Sequence, residues 1–91
     1  GIQDGQQPVC FEKEKVSITF NGEIYNYIEL RDTLRKVGRS VNTSSDTEVL
    51  LEYYIVFGIN RLLRDANGMF AFAIHDEHHD TILLVRDRLG I

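Results

Sequence analysis

Val16-Ser17-Ile18-Thr19-Phe20 alternates apolar with polar side chains and is rich in β-branched and aromatic residues, which specifies a half-buried strand. It runs directly into Asn21-Gly22, a pair that most often turns a hairpin. The next residues do not read as a second strand, because Asn26-Tyr27-Ile28-Glu29 sets a favoured N-cap residue three positions before a carboxylate, the pattern of a helix start. The pair is therefore expected at a strand end, with the strand stopping at Phe20 and a helix laid on the sheet next.

Without a Cβ, Gly22 leaves its backbone N–H open to close approach, and Asn21 brings a second donor in its side-chain NH₂. Two convergent donors can hold an oxyanion. The same two residues can equally be turn chemistry and nothing more.

The first helix then runs with Tyr27, Leu30, Leu34 and Val37 on one apolar stripe and Arg31, Asp32, Arg35 and Lys36 on the other face, and Gly38 is placed to stop it. A second start signal, Ser45-Asp46-Thr47-Glu48, opens a helix that is apolar almost throughout from Val49 to Phe57, so it is expected to be buried on more than one side. Asp46 at that N-terminus is stabilised as a carboxylate by the helix dipole. It could face a cationic ligand group, or serve only as a first-turn acid.

Asn60 to Asn67 mixes charge with leucine, and no element is assigned to it. Met69-Phe70-Ala71-Phe72-Ala73-Ile74 sets large residues at even positions and alanines at 71 and 73, the pattern of a strand covered on both faces with its alanine side packed close to another layer. Thr81 to Val85 is its partner strand, and Asp76 to Asp80 is read as the hairpin loop between them. His75, Asp76, His78, His79 and Asp80 invite a metal site, but His78 and His79 point to opposite sides of an extended segment, so none is assigned. At the two ends, Gly1 to Pro8 is expected to hold no regular element, Glu12-Lys13-Glu14-Lys15 to be a solvated turn, and Arg86-Asp87-Arg88 to be a solvated strand end or an ion-pair seam.

Ninety-one residues allow one domain, which buries only about 60–65% of its unfolded surface. Ten basic against fourteen acidic residues, spread along the chain, give a net charge of −4, which suits neither nucleic acid nor an anionic membrane as a partner. No apolar run reaches the roughly 18 residues of a membrane span. A single cysteine rules out an internal disulfide and suits a reducing compartment, so a cytoplasmic location is expected.

Four motifs in order carry a family resemblance: Asn-Gly-Glu-Ile-Tyr-Asn at 21–26, Ser-Asp-Thr-Glu-Val-Leu-Leu at 45–51, Gly-Met-Phe-Ala-Phe-Ala-Ile at 68–74 with Asp76, and Arg-Asp-Arg-Leu-Gly-Ile at 86–91. Together they resemble the glutaminase domain of glutamine-hydrolysing asparagine synthetases, a class II glutamine amidotransferase of the N-terminal-nucleophile hydrolase type. The resemblance implies an α+β fold, a sandwich of antiparallel sheets between helical layers, of which these residues form part. It also implies an N-terminal cysteine thiolate that attacks the glutamine side-chain amide, and ammonia passed to a synthetase domain that adenylates aspartate with ATP and magnesium. Carried over, the Asn21 side chain and the Gly22 N–H would form the oxyanion hole, and Glu23 and Asp46 would hold the substrate's α-amino end. No cofactor is implied for residues 1–91 themselves. The implied partners are glutamine and the chain's own synthetase domain, with a homodimer open to the full-length protein.

Some of the family's pattern is missing. The nucleophilic cysteine and the segment that grips the substrate carboxylate lie upstream of Gly1 in the family, and the synthetase domain lies downstream. Both ends look cut, so residues 1–91 are expected to be a partial amidotransferase domain, inactive alone. Cys10 cannot replace the nucleophile, because its amine is locked in a peptide bond and the mechanism needs that amine free. Two other readings remain: a degenerate amidotransferase-like module kept for partner binding, and another class II amidotransferase, acting on a sugar phosphate or a phosphoribosyl substrate.

Overall fold

The computed structural model describes residues 9–41 and 45–86. Its elements run β1 (Val9–Phe11), β2 (Val16–Ile24), α1 (Tyr27–Lys36), α2 (Asp46–Phe57), α3 (Ile59–Asp65), β3 (Gly68–Asp76) and β4 (Thr81–Arg86). The strands form one antiparallel sheet in sequence order, β1-β2-β3-β4. All three helices fall between β2 and β3, so these neighbouring strands are joined through a whole helical layer.

That layer covers one face of the sheet. Val16, Ile18, Phe20 and Ile24 of β2 and Phe72 and Ile74 of β3 are buried against it, with Leu30 and Leu34 of α1 closing the core from the helix side. α2 lies at the centre, and Val49, Leu50, Leu51 and Tyr53, which point in several directions around its axis, are all buried. An all-round apolar helix finds apolar cover on each side, as its sequence required. The α1 stripe is shorter than its spacing suggested, because Val37 is the C-cap and is exposed.

Several expectations are corrected. β2 does not stop at Phe20; it stays paired with β3 through Asn21↔Ala71, Gly22↔Phe70 and Glu23↔Met69 to Ile24↔Gly68. The Asn-Gly pair thus lies inside a strand, where bare Cα atoms let two backbones approach. Cys10 lies in β1, a short strand that Val9 to Phe11 add beyond the Glu12–Lys15 turn, which does form. Ile59 to Asp65, left unassigned, is α3. The alanine face of β3 is uncovered among the described residues, with Met69, Ile82 and Leu84 exposed alongside Ala71. One sheet and one helical layer are thus described, an α+β arrangement. The expectations for Gly1–Pro8, and for Asp87 and Arg88, lie outside the described residues.

Asp76 belongs to β3 rather than to the loop, and it is buried. Its Oδ2 accepts from the Tyr54 hydroxyl at 2.6 Å and lies 2.8 Å from His79 Nδ1, while its Oδ1 accepts from the His79 backbone N–H at 3.1 Å. Burial by itself would raise the Asp76 pKa; the bonds from Tyr54 and His79 outweigh it and hold the carboxyl below its ordinary value. Burial, then the Asp76 bond, push the Tyr54 phenol up to about 12.

A carboxyl with a lowered folded-state pKa stabilises fully above its unfolded value, near about 4, and loses that contribution as pH falls through the lower folded value. Asp76→Asn is therefore expected to cost roughly 1–3 kcal/mol at neutral pH. The deficit should shrink as pH falls through and below about 4, where the parent loses its advantage. Urea melts of both proteins at pH 7 and pH 3 measure it, and equal deficits at the two pH values would contradict the assignment.

Candidate functional site

The far end of the β2–β3 ladder, away from Asp76, carries the residues singled out by sequence. The hydrogen-bond phase of the ladder is fixed at both ends: Glu77 N–H donates to Lys15 O at 2.9 Å and Tyr25 N–H to Asn67 O at 2.7 Å. In an antiparallel ladder paired residues alternate between bonded and non-bonded. With the register unbroken between those two rungs, odd-numbered residues of β2 bond to β3 and even-numbered ones turn their N–H and C=O to the opposite edge. Gly22 is even. Its N–H points to the edge of β2 where, among the described residues, β1 pairs no further than Ile18.

Gly22 has φ +125°, a conformation that L side chains rarely adopt, and a Cβ there would meet Met69 O at 2.2 Å and Phe70 Cα at 2.7 Å. Gly68 answers it on the other strand, where a Cβ would meet Glu23 O at 2.2 Å. The paired glycines draw the strands together at this end.

Asn21 stands on the open face beside this edge, exposed, and its side chain makes no hydrogen bond among the described residues. It borders a shallow groove of about 470 Å³ over the sheet, which Thr19, Ala71, Ala73 and Arg86 also line. Glu23 is exposed two residues along. Asp46 reaches the site from α2, where Ser45 is the N-cap and its Oγ accepts from Glu48 N–H at 3.4 Å. Asp46 Oδ2 accepts from Ile24 N–H at 3.1 Å, on the same edge of β2 as the Gly22 N–H. One carboxylate thus ties the helix N-terminus to the strand edge, and its Oδ1 makes no hydrogen bond among the described residues.

Asn26 does precede α1, but its side chain makes no capping bond. Its Nδ2 donates to Asp65 O at 2.8 Å and its Oδ1 accepts from Asn67 N–H at 2.9 Å. The Asp65 carboxylate takes the Tyr53 hydroxyl at 2.6 Å, Arg61 Nε at 3.0 Å and Arg64 Nε at 2.8 Å. The Arg64 bond first and the Tyr53 bond next hold this carboxyl well below the ordinary carboxylate range. Sequence reasoning missed Asp65 altogether. The signal was an acid one and four positions after arginines, in a segment too short to show helical periodicity.

Cys10 is remote from this end. It is exposed on β1 opposite Ser17, five residues along β2 from Gly22, or roughly 16 Å at strand rise. The histidines gather at the opposite end with Asp76, and among the described residues no three metal-ligating side chains are grouped to hold an ion. No helix among the described residues is long and apolar enough to cross a membrane.

Comparison with known proteins places the whole chain in one family. A family model described as a glutamine amidotransferase domain matches residues 1–91. Asparagine synthetase [glutamine-hydrolyzing] 1 of Bacillus subtilis is 44% identical over 99% of the chain, which spans 14% of that relative's length. The probable asparagine synthetase of Schizosaccharomyces pombe is 37% identical over the full chain, which spans 16% of it. Among solved structures, glutamine phosphoribosylpyrophosphate amidotransferase from B. subtilis superposes with a TM-score of 0.67 at 25% identity, covering 87% of this chain and 18% of that one. The allosteric regulatory enzyme of purine biosynthesis superposes at 0.74 with 27% identity, covering 92% and 20%. A match over every residue, a fold shared with solved amidotransferases and relatives named glutamine-hydrolysing asparagine synthetases agree, and the chain belongs to the glutamine amidotransferase domain family.

Proposed function

We propose that this end of the β2–β3 ladder is the oxyanion and amino-end half of a glutaminase site, in a full-length protein that hydrolyses glutamine to supply ammonia for ATP-dependent asparagine synthesis. The observation that supports it most is the phase of the ladder, which leaves the Gly22 N–H out of its pairing with β3, beside an Asn21 amide that makes no hydrogen bond among the described residues. A thiolate adds to the side-chain amide carbon of glutamine, and the carbonyl oxygen becomes an oxyanion that Asn21 Nδ2 and the Gly22 N–H stabilise. The nucleophile's α-amine, having taken the thiol proton, returns it to the departing nitrogen, so collapse expels ammonia and leaves a thioester, which water opens to glutamate. Glu23 and the Asp46 Oδ1 take the substrate ammonium, a charge-assisted contact.

The thiolate on this reading is not Cys10, which is both peptide-bonded at its amine and too distant, so residues 1–91 alone would release no glutamate. ATP and magnesium act in the synthetase domain. The asparagine synthetases, at 35–44% identity, favour this reading over a phosphoribosyl amidotransferase, whose likeness stands at 25%.

Asp46→Asn tests it, because the amide oxygen still accepts from Ile24 N–H while the charge is gone. In the full-length protein, kcat/KM for glutamine should fall roughly 10- to 100-fold, the loss of one charged hydrogen bond, with ammonia-dependent synthesis unchanged. Equal loss with both nitrogen sources would defeat the assignment.

A further inference from the structure

We infer that Asn26 is a positioning residue for this site, a side-chain clamp that holds the end of the β2–β3 ladder in the geometry the oxyanion donors need. The inference rests on the glutaminase reading above. Asn26 lies two residues beyond the end of β2, and its amide is used on both sides, Nδ2 to Asp65 O at 2.8 Å and Oδ1 to Asn67 N–H at 2.9 Å. Tyr25 N–H adds a bond to Asn67 O at 2.7 Å. Three bonds thus fasten the chain leaving β2 to the chain entering β3.

The acceptor end is itself rigid. Asp65 is gripped by Tyr53, Arg61 and Arg64, and Tyr53 is buried in the core. The clamp therefore passes the position of α2 and α3 to the last rungs of the sheet. Those rungs are where Gly68 lies against Glu23 and Ile24, and Gly22 against Met69 and Phe70. Gly22 holds its φ of +125° only while the strands stay in close approach there. Ile24 N–H, which orients Asp46, stands one rung from the clamp. If the clamp is lost, the ladder end is free to fray, and both the Gly22 N–H and the Asp46 carboxylate lose their aim without any group on the substrate being removed.

The test uses the full-length protein, with glutamine and ammonia as alternative nitrogen sources. Misplacement of the hole by a fraction of an ångström to about 1 Å should lower the glutamine-dependent kcat of Asn26→Ala roughly 10- to 100-fold. KM for glutamine should rise as well, because the misaimed Asp46 holds the substrate ammonium less well, and the ammonia-driven rate should match the parent. Asn26→Asp keeps the acceptor for Asn67 N–H and should recover part of the loss. Tyr53→Phe weakens the same knot but leaves both Asn26 bonds, so it should lower the melting temperature while leaving the glutamine-dependent kcat at the parent value.

If Asn26→Ala reduces both nitrogen sources in proportion, or Tyr53→Phe lowers glutamine-dependent kcat as much as Asn26→Ala does, Asn26 is a stabilising residue and the inference is wrong. Parent kcat in Asn26→Ala, with Asn21→Ala impaired, also overturns it. Parent kcat in Asn21→Ala overturns the glutaminase reading underneath.

Discussion

Asn21→Ala in the full-length protein is expected to lower glutamine hydrolysis by roughly 10²–10³, the usual cost of removing one oxyanion donor. The expectation comes from the exposure of the residue and its lack of hydrogen bonds among the described residues. Its side chain is exposed on the open face of the sheet and makes no hydrogen bond among the described residues, so among them truncation removes no hydrogen bond and opens no cavity. Melting should stay within about 0.5 kcal/mol of the parent, as for a surface change away from special features. The loss should fall on kcat, because the donor acts on charge that exists only after the thiolate has attacked. Ammonia-dependent synthesis bypasses that step and should be unaffected. Glutamine hydrolysis at the parent rate would remove Asn21 from the site, whatever the melting curve showed.

This combination of exposure and lack of partners was not legible in the sequence, although the residue was. Asn21, Gly22, Glu23 and Asp46 stand out from strand alternation, an Asn-Gly pair and a helix-start signal, and the Asp46–Ile24 bond ties Asp46 to the β2 edge that carries the Gly22 N–H. The strand limit was misread because Asn-Gly usually ends a strand in a turn. Here Gly22 stays in the strand because Gly68, over forty residues later, supplies the matching gap. No local window contains both.

Asn26 shows a related failure. Its helix-start position is real, yet its amide is taken by Asp65 and Asn67, because a long-range pair of bonds displaced the local cap. The α2 burial was legible because an all-apolar helix needs no partner to declare itself. The seven-residue α3 was not, being less than two and a half turns and carrying one buried leucine. The alanine face of β3 asks for a second layer, and the residues that would cover it are not among those described.

Gly22→Ala should differ from Asn21→Ala in kind, though the two positions are adjacent. At Gly22 the new methyl would lie 2.2 Å from Met69 O, 2.7 Å from Phe70 Cα and 3.1 Å from Met69 C, all backbone atoms that no rotamer change can move aside. The residue would also carry its Cβ at φ +125°. Backbone strain of this type costs about 1–3 kcal/mol and overpacking a similar amount, so a loss on the order of 3 kcal/mol or more is expected. Gly38→Ala is the control for backbone conformation without crowding, since its φ is +88° and nothing lies within 4 Å of the added methyl. It should cost only about 1 kcal/mol, and the difference between the two variants isolates the interstrand clash. Relief of that clash requires the strands to part at Glu23↔Met69 and Ile24↔Gly68, which moves Ile24 N–H away from Asp46. Gly22→Ala should therefore lose stability and glutamine hydrolysis together, where Asn21→Ala loses hydrolysis alone. A Gly22→Ala protein that melts with the parent would mean that the two strands are not in close contact there, and the edge that carries both the Gly22 and the Ile24 N–H would have to be redrawn.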